Sequence, residues 1–150
     1  MNKATITIEN NLMFKTFDGE KLSLDVPSSE YSVEYSSRTE QIFIKPIDST
    51  LELDEINTSY WNFVWNEDEP SFGSDISYFS IQDSKDNQSS VIDYEELWNV
   101  MDEFYSFGSF IVGSIPSGTN GCVFVYTKKD EQGNIIAILL TGDTPEDFLG

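Results

Sequence analysis

Leu12-Met13-Phe14-Lys15-Thr16-Phe17-Asp18-Gly19-Glu20-Lys21-Leu22-Ser23-Leu24-Asp25-Val26 decides the character of the amino-terminal part of this chain. Apolar and polar residues alternate along both arms. The Asp18-Gly19 pair between them is a strong two-residue hairpin signal, because both residues tolerate the positive φ that such a turn requires. Pro27 stops the second arm. Upstream, Thr5-Ile6-Thr7-Ile8 alternates in the same way and leads into an Asn-rich turn at Glu9-Asn10-Asn11-Leu12. Downstream, Tyr31-Ser32-Val33-Glu34-Tyr35 and Gln41-Ile42-Phe43-Ile44 are two further strands by residue type. Alternation with one apolar face describes strands packed from one side and wet on the other. The first 46 residues are therefore expected to form an antiparallel meander of about five strands.

Further along, Leu53, Ile56 and Tyr60 have helical spacing, while Tyr60-Trp61-Asn62-Phe63-Val64-Trp65 is strand-like in composition, so residues 50–66 stay open at this level. Ile76 to Ile81 reads as another short strand. The periodicity predicts one main amphipathic helix over about 94–105, where Tyr94, Leu97, Trp98, Met101, Phe104 and Tyr105 make a single apolar stripe. Asp93 and Glu96 suit its amino-terminal end, where the helix dipole is positive. Cys122 to Thr127 and Ile135 to Leu140 read as a carboxy-terminal hairpin around Asp130-Glu131-Gln132-Gly133-Asn134. The second arm is almost continuously apolar, the pattern of a central strand buried on both faces. Strands, then a helix, then strands predict an α+β fold with antiparallel sheet and one core, in a single domain over residues 1–150.

Composition narrows the function. The chain of 150 residues carries 27 acidic and 8 basic side chains, a net charge of −19, with an aromatic content of 14% that is too high for an acidic disordered chain. Such a charge opposes direct binding to nucleic acid or to an anionic membrane and steers basic proteins toward the chain. There is no histidine and a single cysteine, Cys122. Histidine-dependent catalysis, most zinc sites and an internal disulfide are thereby removed. Residues 1–30 carry no signal-peptide pattern and no apolar run approaches the roughly 20 residues of a membrane span, so a cytoplasmic location is expected.

The acids are unevenly placed. Residues 1–46 carry seven acids and five bases, whereas residues 47–126 carry fifteen acids and one base, Lys85. The acids at positions 67, 68, 69 and 75 therefore lack nearby cations in sequence, and Glu95, Glu96, Asp102 and Glu103 would be like charges on one helix face, an arrangement that destabilises a helix slightly. Either the surface is merely solvated or a cation comes from outside. We take Glu67, Asp68, Glu69, Asp75, Glu95, Glu96, Asp102 and Glu103 as candidate partner-binding residues, with Trp61 and Trp65 as aromatic anchors ringed by acids if they are exposed. The expected partner is a basic protein: a toxin, a nuclease or a nucleic-acid-binding protein.

Catalytic and cofactor chemistry finds little support. Carboxylate pairs arise by chance among 27 acids, and spacing alone does not select a glycosidase pair. Asp83-Ser84-Lys85-Asp86-Asn87-Gln88 offers oxygen ligands for calcium but lacks the glycine at the sixth position, and Tyr94 stands where the bidentate glutamate belongs. The Gly113-to-Gly121 stretch lacks the Gly-Lys-Ser/Thr ending of a phosphate loop. No catalytic residue, metal or cofactor is expected.

The last third resembles the end of SMI1/KNR4-type (SUKH) immunity proteins, through Ile115-Pro116-Ser117-Gly118, the Gly121-to-Tyr126 strand, the Gly133-Asn134 turn into Ile135-to-Leu140, and Thr144-Pro145-Glu146-Asp147-Phe148-Leu149. The amino-terminal helix usual in that family has no counterpart here. The resemblance implies an inhibitor that neutralises a toxin by binding, with no catalytic residues. Two other readings are a phage-type nucleic-acid mimic that antagonises a host defence or DNA-binding protein, and a structural or assembly subunit.

Overall fold

A computed structural model describes residues 3–16, 21–36, 41–50, 62–63, 71–73, 78–85, 105–106, 110–114 and 122–141. Twelve strands are found among them: β1 (Lys3–Ile8), β2 (Leu12–Thr16), β3 (Lys21–Leu24), β4 (Ser29–Ser36), β5 (Gln41–Pro46), β6 (Asn62–Phe63), β7 (Ser71–Gly73), β8 (Tyr78–Asp83), β9 (Tyr105–Ser106), β10 (Ile111–Ser114), β11 (Cys122–Lys129) and β12 (Ile135–Thr141). A seven-stranded sheet has the order β1-β4-β5-β12-β11-β6, with β7 also on β11, and a five-stranded sheet has the order β3-β2-β8-β10-β9.

The described residues are all-β, which corrects the expected α+β fold. They contain no helix. Tyr105, the last member of the apolar stripe, lies in β9, where Tyr105 pairs with Val112 of β10. Pairing with a neighbouring strand overrides a local 3.6-residue pattern there. The rest of the expected helix, residues 94–104, lies outside the described residues.

The five amino-terminal strands exist but do not form a meander. β1 pairs with β4, β4 with β5, and β2 with β3, so consecutive strands β1 and β2 belong to different sheets. The β2–β3 hairpin also departs from a two-residue turn. Phe14 pairs with Leu22 and Lys15 with Lys21, which leaves an odd number of residues between the arms. Hydrophobic phase selects this register, because it sets Leu12 against Leu24 and Phe14 against Leu22, all on the core side. A slip by one residue would oppose Leu12 to Asp25 and mix the faces.

One apolar cluster joins the two sheets, as in a β-sandwich. Ala4, Ile6, Ile8, Tyr31, Val33, Ile42, Ile44, Val125, Ile138 and Leu140 come from the larger sheet, and Leu12, Phe14, Leu22, Leu24, Phe79, Ile81 and Ile111 from the smaller. Phe14 and Phe79 meet edge to face, ring centroids 6.3 Å apart and planes at 81°. The Tyr31 hydroxyl donates to the Pro27 carbonyl at 2.5 Å, and burial pushes its pKa up to about 12.

β12 lies between β5 and β11. Its opposite face is buried as well: Leu139 pairs with Phe43 on one side and Tyr126 on the other, and the three are 2%, 1% and 0% exposed. The continuously apolar sequence of this arm has its explanation in that two-sided burial. At its start, Lys128 pairs with Ala137 but Lys129 with Ile135, so Ile136 is the extra residue of a bulge. The bulge changes parity and lets Ile135 reach the same core as Ile138 and Leu140. The turn before it is closed by Asp130, whose Oδ1 accepts the N–H groups of Gln132 and Asn134 at 3.0 and 2.9 Å. Gly133 supplies the left-handed residue at φ 86°.

Truncating Phe14, which is fully buried, to alanine removes a ring from the contact between the sheets. Chemical denaturation should show a loss of about 3–5 kcal/mol, with the less severe Phe14→Leu falling between it and wild type.

Candidate functional site

Three features bear on function: the corner where the chain changes sheets, the edge formed along β11, and the distribution of charge over both. At the corner, Glu9, Asn10 and Asn11 leave the β1 edge of one sheet and enter β2 of the other. Backbone N–H groups freed from a ladder need other acceptors. Asp83, at the end of β8, provides them. Its Oδ2 accepts the N–H groups of Glu9 at 2.7 Å and Asn10 at 2.8 Å, and its Oδ1 accepts the Asn10 side-chain amide and the Lys85 N–H, both at 3.0 Å. Ser84 completes the junction, its N–H donating to the Asn11 carbonyl at 2.7 Å.

Partial burial raises the Asp83 carboxyl pKa, but the N–H groups of Lys85, Asn10 and Glu9 and the Asn10 amide outweigh it and hold the group at about 2. Both carboxylate oxygens face N–H donors. Asp83 is thus a structural clamp for this corner. Sequence reading had no sign of this role, because the Glu9 and Asn10 donors lie more than 70 positions away in the chain.

The second feature surrounds the strongest acidic run. β6 and β7 pair in the same sense with one strand: Asn62 with Thr127 and Phe63 with Tyr126, then Ser71 with Phe124, Phe72 with Val123 and Gly73 with Cys122. Together they make one edge strand interrupted opposite a single residue, Val125. The two anchor points lie two positions apart on β11, about 7 Å at the strand rise, yet seven residues connect them in sequence. Those residues, 64–70, include Trp65, Glu67, Asp68 and Glu69. The residues that flank this run, Phe63 and Ser71, therefore lie on one sheet edge.

The ten candidate residues themselves, Trp61, Trp65, Glu67, Asp68, Glu69, Asp75, Glu95, Glu96, Asp102 and Glu103, all lie outside the described residues. The described residues hold eight acids (Glu9, Asp25, Glu30, Glu34, Asp48, Asp83, Asp130 and Glu131) and seven of the eight bases, all lysines. The remaining residues hold nineteen acids and one base, Arg38. Along the sequence the imbalance is concentrated in residues 47–126, with fifteen acids and one base.

Among the described residues, no group of three His, Cys, Asp or Glu side chains could hold a metal ion, and no helix is long and apolar enough to cross a membrane. No protein-family model matches this chain, and no curated protein or solved structure does either.

Asp83→Asn keeps the shape but loses the charge and turns an amide toward N–H donors. We expect it to cost about 1–3 kcal/mol at pH 7. Because the folded carboxyl titrates near 2 and the unfolded one near 3.8, the stabilisation is full above pH 4 and is lost as pH falls through 2. Denaturation curves between pH 7 and 2 should show wild type and variant converging at the acid end.

Proposed function

We propose that this chain is a binding protein of the inhibitor or immunity type, whose acids occlude a basic site on a cognate protein. The observation that carries this reading is the uneven charge along the chain: residues 47–126 hold fifteen acids and one base, Lys85. A surface evolved only for solubility would spread its acids among its lysines. Acids without local cations repel one another, and an external cation relieves that repulsion.

A nuclease is the target class that best suits such a protein. Nucleases hold phosphates in cationic clefts, and an acidic domain competes for the same cleft by charge complementarity. The association would be fast and would weaken as salt rises, as steering by exposed charge requires. The pairing of β6 and β7 along β11 adds support, because it sets Phe63 and Ser71, the residues that flank the run 64–70, on one sheet edge. The resemblance of the last third to SUKH immunity proteins points the same way, as does a chain without histidine.

The test is capture on the immobilised chain from lysate of its source organism at low salt, followed by a salt gradient. One basic protein released as salt rises is the expected result. The triple variant Glu67→Lys, Asp68→Lys, Glu69→Lys should then bind that protein with an association rate at least about tenfold lower, while its unfolding midpoint stays close to wild type. Unchanged binding by the variant would remove these three acids from the interface. Retention of nothing salt-sensitive would overturn the reading, and competition of the captured protein by duplex DNA would favour the nucleic-acid-mimic alternative.

A further inference from the structure

We draw no further inference here: the strongest candidate, the face of the smaller sheet turned away from the shared core, where Met13, Ser80, Gln82 and Val112 are buried, carries none because nothing among the described residues shows what covers it.

Discussion

A carboxylate holds the two sheets in their relation. The polypeptide can pass from one layer to the next only where backbone N–H groups leave their ladder, and those groups must find acceptors or the corner is costly to bury. Asp83 gathers two of them, together with the Asn10 amide and its own turn N–H, while Ser84 takes up the Asn11 carbonyl. Since β8 sits in the middle of the smaller sheet and β1 at the border of the larger, the clamp ties the centre of one layer to the rim of the other. The shared core then needs only side chains of matching phase, and both sheets supply them.

How much of this is readable in the sequence depends on the range of the interaction responsible. Individual strands are legible because burial alternates at a period of two: Lys3–Ile8 and Lys21–Leu24 show it without exception. The two-sided burial of residues 137–140 is legible for a related reason, an apolar run with no polar phase. Pairing partners are not. Glu9-Asn10-Asn11 has the composition of a hairpin turn, and only an aspartate far along the chain makes it a corner between sheets. The β2–β3 register could have been preferred from the facing of leucines, but the Asp-Gly signal competes with it locally. Tyr105 shows the opposite failure, in which a regular helical stripe ends in a residue that pairs as a strand.

The candidate site was legible as chemistry and not as geometry. Counting acids along the chain locates a block nearly without cations, residues 47–126, and most of its acids lie outside the described residues. The structure shows that Asp83, one acid within the block, belongs to the framework's own bonding. Its two oxygens accept N–H groups of Glu9, Asn10 and Lys85, which also hold its pKa low. A strongly acidic composition therefore does not by itself mark every acid as a binding residue.

The place of β12 has a consequence for the order of assembly. It fills the centre of the larger sheet, between β5 at residues 41–46 and β11. During synthesis, β1, β4 and β5 leave the ribosome about 90 residues before their middle neighbour. At roughly 5–20 residues per second, that leaves the inner edge of β5, with Ile42, Phe43 and Ile44, without its partner for several seconds. The topology thus couples the formation of the core to the arrival of its carboxy-terminal hairpin, and makes the interval before it the time when a nascent chain is most open to holdase chaperones and to mispairing.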